Sequence, residues 1–220
     1  MVLYLVGINH EASRYKQARG FTNDNLTFIK AIELATSKHP IDLLAEEEHP
    51  EYLIKHCATS LLDAIHRANG IHHVFIDPNS REREIIGYRD DCNIWGLEEF
   101  RTQVSYPLLE QAESCGCEIA KIAKAHEIAH HFPSRETFWL DELKKANARN
   151  VLFVCGDIHL RTFPKILAAE EIESEVIMEG IGVDYNSLAY EAFKFAEGNN
   201  MFSQVHCFCR DGAVGSNRRL

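Results

Sequence analysis

Two stretches of this 220-residue chain share the spacing Gly-x-x-His: Gly7 to His10 and Gly156 to His159. Each follows a short apolar run, Val2 to Val6 and Val151 to Cys155. An imidazole titrates near neutral pH and coordinates metals, so a histidine at such a place can move a proton or hold a cation. Three glutamates, Glu46, Glu47 and Glu48, follow a third apolar run, Ile41 to Ala45. Asp77 follows a fourth, His73 to Ile76, with Arg81 nearby, and Asp157 and Arg161 flank His159. Two imidazoles and several carboxylates are the ingredients of a metal site or an acid–base pair.

The expected metal ligands are His10, Glu46 and His159, and the expected catalytic residues are Glu46, Glu47, Arg135 and Glu136. Glu46 and Glu47 would face opposite sides of a continuing strand, and the pattern does not say which faces the site. Mixed nitrogen and oxygen donors suit a divalent Zn, Mn, Co or Fe. Such an ion lowers the pKa of water and polarises a carbonyl or phosphoryl oxygen, while the planar fork of Arg135 would stabilise the oxyanion. Asp77, Arg81, Asp157 and Arg161 complete the set as substrate-binding candidates. The same histidines and glutamates could also work without metal, as base and acid.

The elements must bring these residues together. Continuous apolar runs separated by helical periodicity read as buried strands of a largely parallel sheet with helices on both faces. In such α/β sheets ligands bind beyond the carboxyl ends of the strands. Helices are expected at Asn23 to Ser37, at His56 to Ala68 (stopped by Gly70), at Arg135 to Ala148 (with Ser134 as N-cap), at Phe163 to Ala169 and at Ser187 to Glu197. Ser174 to Met178 reads as a strand, Phe202 to Phe208 as a last one, and Arg81 to Asp91 as a loop. The expected organisation is a single domain over residues 1–210, a helical insertion at about 97–131 broken near Pro107 and Cys115 to Cys117, and a flexible tail over 211–220.

A net charge of −10 lacks the electrostatic footprint of general nucleic-acid binding. No stretch reaches the length of a membrane span, and the start lacks the basic flank of a signal peptide. The seven cysteines include two Cys-x-Cys pairs, 115/117 and 207/209, off the usual zinc spacings, and suit reduced thiols in a cytoplasmic protein. The expected partner is a small-molecule or peptide substrate.

The order of the pieces resembles the superfamily of TraB/TIKI proteins, erythromycin esterases and haem-binding ChaN-like lipoproteins. The resemblance rests on LVGINH (Leu5 to His10), LLAEEE (Leu43 to Glu48), RETFW (Arg135 to Trp139) and VCGDIHL (Val154 to Leu160), and spans residues 1 to 160. Trp139 stands where that pattern usually has Met, and Ile8 where it usually has Thr. The resemblance implies a metal-dependent hydrolase acting on a peptide, ester or phosphoester bond. It also admits a non-enzymatic haem- or ligand-binding protein on the same fold.

A rival motif stands at residues 126–130, HEIAH. On a helix His126 and His130 share a face and could hold zinc while Glu127 activates water, as in a zincin-type metallopeptidase. Against this, Lys124 puts a charge two residues before the motif, Pro133 would end the helix at once, and no third ligand stands out. The plainer expectation is a packing helix with His126 on its buried stripe and Glu127 in solvent.

Overall fold

The structure is a computed structural model and describes residues 1–90, 94 and 116–203. It divides into two compact units: Met1–Asn79 with Glu136–Asp184, and Ser80–Arg135 with Tyr185–Leu220. The expected break near Pro107, the rest of the expected last strand beyond Ser203, the expected tail and both Cys-x-Cys pairs lie outside the described side chains. Cys57 and Cys155 are free thiols.

The first unit is built on five parallel strands: β1 (Val2–Ile8), β3 (Leu43–Glu46), β5 (His72–Phe75), β6 (Asn150–Gly156) and β7 (Glu173–Ile181), in the order β5-β3-β6-β1-β7. β2 (Arg14–Tyr15) and β4 (Thr59–Ser60) form a separate antiparallel pair. Alternate residues of the central strands are buried on opposite faces. On one face Leu3, Leu5, Leu43, Ala45, Val151, Phe153 and Cys155 pack with Trp139, Leu140, Leu143, Phe163 and Leu167. On the other, Val6, Ile8, Leu44, Leu152 and Val154 pack with Phe28, Ile32, Leu61, Leu62 and Ile65. Burial on both sides is why these strands read as unbroken apolar runs.

The helices of this unit are α1 (His10–Ser13), α2 (Asn23–Lys38), α3 (Pro50–Lys55), α4 (Leu61–Asn69), most of α7 (Phe132–Lys145) and α8 (Phe163–Ala169). α2 starts with a capping box between Thr22 and Asn25. The helix expected over His56 to Ala68 begins only at Leu61. Cys57 takes a left-handed φ of 48°, which breaks the path, and Ser60 Oγ accepts from the Asp63 N–H at 3.0 Å as the N-cap. Gly70 ends α4 at φ 73°, as expected.

The second unit contains α5 (Ser80–Ile85), α6 (Gly116–His126), a π-helical turn (Glu127–His131), the start of α7, and α9 (Leu188–Gly198), which packs on α6. Three local expectations are corrected here. The charged stretch from Arg81 is helical as far as Ile85, and residues 201–203 form a 3-10 turn. Pro133 does not end the helix, nor is Ser134 a cap, because α7 runs through both. A proline inside a helix removes one N–H and crowds the preceding turn. The wide π turn, in which the Phe132 N–H reaches Glu127 O, lies directly before it and relieves that crowding.

Candidate functional site

His10, Glu47 and the Gly156–His159 turn leave the carboxyl ends of β1, β3 and β6, three neighbouring strands with β6 in the middle. Asn9 caps α1 through its side chain, accepting from the Glu11 N–H at 3.1 Å, so His10 starts that short helix. Glu47 is one residue past β3, yet its N–H still donates to Val154 O at 2.8 Å. The Gly156 N–H donates to its Oε2 at 2.6 Å. Backbone from β6 therefore fixes Glu47 at both ends.

The other oxygen, Oε1, lies 3.5 Å from His10 Nε2 and 3.5 Å from His159 Nε2. On its far side, His159 Nδ1 is 2.7 Å from Glu136 Oε1, which also accepts from the Thr162 hydroxyl. Four groups thus form a chain, His10–Glu47–His159–Glu136. The His10 side chain is 34% exposed and the other three are at most 3% exposed, so one imidazole faces solvent and the rest are sealed behind it. Burial opposes charge on His159, but the Glu47 carboxylate and the hydrogen bonds with Glu136 and Glu47 outweigh it and raise the pKa to about 9.

The glycine ahead of each histidine would let the chain turn sharply, but in the structure both glycines matter for space. Gly156 has φ −57°, an ordinary conformation, and Gly7 lies within β1. A Cβ on Gly156 would stand 3.1 Å from His10 Nε2, 3.4 Å from Glu47 Oε2 and 3.5 Å from His159 Cδ2. A Cβ on Gly7 would stand 2.4 Å from Leu160 Cδ1 and 2.5 Å from Asp157 Oδ1.

Glu46, expected beside the histidines, turns elsewhere. It lies on the face of Leu44, where Ser60 Oγ donates to its Oε2 at 2.5 Å and His73 Nε2 is 3.2 Å away. Glu48 is bound by Arg14 Nε at 2.6 Å. The three glutamates, of which only Glu46 belongs to β3, lie in three environments, and only Glu47 meets His10 and His159.

The expected substrate-binding residues are also dispersed. Asp77 is buried and accepts from Trp139 Nε1–H at 3.0 Å. Asp157 is buried and accepts from the Gly180 N–H at 2.6 Å. Arg161 makes a half-exposed pair with Glu179 at 3.2 Å, and Arg81 is an exposed residue of α5. Arg135, expected to stabilise an oxyanion, belongs to the second unit, with its guanidinium over the Tyr88 ring at 5.3 Å.

The HEIAH residues form a buried cluster of their own. The His126 and His130 rings are 4.5 Å apart and His131 is 5.8 Å from His126. Glu127 is 2% exposed, contrary to its expected place in solvent. Its Oε1 accepts from the Tyr88 hydroxyl and its Oε2 from Lys124 Nζ at 2.6 Å. Both oxygens are engaged, which leaves a poor base for water. Burial, together with the Glu127 charge and against the pull of Arg135, raises the Tyr88 pKa well above its usual value.

Among the described residues no group of three or more His, Cys, Asp or Glu side chains is placed so that it could hold a metal ion as it stands, and no helix is long and apolar enough to cross a membrane. The donor chemistry at the strand ends nonetheless fits a divalent ion. Donors about 2.0–2.2 Å from such an ion stand roughly 3–3.5 Å from each other, and the two contacts at Glu47 Oε1 are 3.5 Å long. A carboxylate on the far nitrogen of a histidine is the usual outer partner of a metal-binding imidazole.

The fold and the cluster define an α/β protein with an imidazole–carboxylate site at the carboxyl edge of a parallel sheet. Comparison of the chain with protein families, with curated proteins and with solved structures finds no match in any of the three.

Proposed function

We propose that the chain is a hydrolase of the TraB/TIKI type and that His10, Glu47 and His159 would hold a divalent metal. The observation that carries the reading is the convergence of both Nε2 atoms on Glu47 Oε1, with Glu136 behind His159. A bound ion would supply Lewis acidity and a lower pKa for water. The chain supplies the rest. Glu136 accepts the Nδ1 proton of His159 and so directs the lone pair of Nε2 toward Glu47 and the site. Gly156 holds Glu47 so that one oxygen faces the imidazoles. His10 is the exposed member and faces the solvent side, from which a substrate would arrive.

A second reading, without metal, is favoured by the raised pKa of His159. A proton on His159 then takes the place of the ion: it neutralises Glu47, and His10 serves as the base with Glu47 behind it. The test is hydrolysis of chromogenic ester, peptide and phosphoester substrates by chelator-treated protein, alone and with Zn, Mn or Co. Metal-restored turnover that is lost in His10→Ala and Glu47→Gln supports the first reading. Full turnover in chelator, lost in the same variants, supports the second. Turnover indifferent to both substitutions overturns both.

A further inference from the structure

α7 presents two residues, one turn apart, to the same imidazole. Glu136 binds His159 Nδ1, and Trp139, at i+3, sets its ring across that of His159, with centroids 4.7 Å apart and planes at 70°. The indole is held in turn. Its Nε1–H donates to Asp77 Oδ1 at 3.0 Å, both residues being buried. Asp77 stands just past β5, where its N–H donates to Glu48 O at 3.3 Å, so the segment that follows β3 restrains it. Phe153 and Phe163 flank the indole edge-on at 5.5 and 5.8 Å.

We infer that Trp139 and Asp77 are a positioning pair for His159: the Asp77 carboxylate fixes the indole, and the indole closes the side of the imidazole that no hydrogen bond controls. An imidazole hydrogen-bonded at both nitrogens can still rock about the axis through them. An edge-to-face aromatic neighbour opposes that motion. The inference explains why a buried aspartate follows β5, and it moves Asp77 from substrate binding to support. It rests on the reading that His159 is a functional residue, and it does not depend on whether the partner of Nε2 is a metal or a proton.

Trp139 also fills the core, so truncation to alanine would confuse support with folding. The informative variants are Trp139→Phe, which keeps an aromatic ring and loses the N–H, and Asp77→Ala beside Asp77→Asn, which keeps an acceptor oxygen. The protein is labelled with ¹⁵N-histidine and read by NMR at the His159 ring, and zinc binding is titrated on the same samples. With melting curves showing each variant folded, Trp139→Phe and Asp77→Ala are expected to shift and broaden the His159 Nδ1 and Nε2 signals and to weaken zinc about tenfold. Asp77→Asn should match the wild type in both. Unchanged His159 signals in folded Trp139→Phe and Asp77→Ala would overturn the inference. If wild type binds no zinc, the metal reading fails alone and the ring signals still decide the positioning pair.

Discussion

Two regions of this molecule carry the same residue types and use them differently. At the strand ends, His10 and His159 share one oxygen of Glu47, and the other oxygen is held by a backbone N–H. In the second unit, His126 and His130 accompany Glu127, but Lys124 and Tyr88 take both of its oxygens. The second set has the more specific sequence pattern and the less available carboxylate. The chemistry of a motif is decided by what occupies its lone pairs, and that depends on residues far off in sequence, here Tyr88 and Gly156.

The comparison can be broken by changing one region and reading both. The largest effect concerns His159. Its pKa in the folded, metal-free chain is about 9, above the ordinary value of 6.5. The charged form is therefore favoured by folding. The stabilisation is fully present below about pH 6.5 and is lost as pH rises through 9. The loss amounts to at most about 3 kcal/mol, because each tenfold gain in proton affinity corresponds to about 1.4 kcal/mol. Urea unfolding at pH 6 and pH 10 should show this loss in wild type and a much smaller one in His159→Gln. A Gly7→Ala substitution drives a methyl group into Leu160 and Asp157 and is expected to cost about 1–3 kcal/mol. Gly198→Ala, with open space around the new Cβ, should leave the midpoint unchanged or slightly higher.

Glu127→Gln sharpens the contrast from the other side. It keeps an acceptor for Tyr88 and loses the charge beside Lys124, so about 1 kcal/mol of stability should go while zinc affinity stays within twofold of wild type. A small effect is also expected at Arg161, whose half-exposed pair with Glu179 should contribute less than about 0.5 kcal/mol when Arg161→Ala is measured by denaturation.

Much of this arrangement is legible in the sequence, and the gaps have physical causes. The three central strands, β1, β3 and β6, are visible because strands buried on both faces demand continuous apolar runs, whereas the edge strands β5 and β7 are more exposed and read less cleanly. The strand ends locate His10 and His159. Their glycines stand out too, but they leave room for side chains instead of turning the chain. Glu46 against Glu47 is undecidable from the sequence because it depends on where β3 ends, and strand ends are poorly marked. The helix through Pro133 is hidden because a π turn before a proline leaves no sequence trace. Trp139 stands out in the sequence only as a departure from a pattern. Its spacing of three from Glu136 is the available signal that both face His159.

The most direct test of the account is metal analysis of purified protein after zinc loading, for wild type, His10→Ala, His159→Ala and His126→Ala. Wild type and His126→Ala should each retain one zinc per chain, and the two strand-end variants should retain none. Loss of zinc in His126→Ala alone would contradict the account and place the metal at the second cluster.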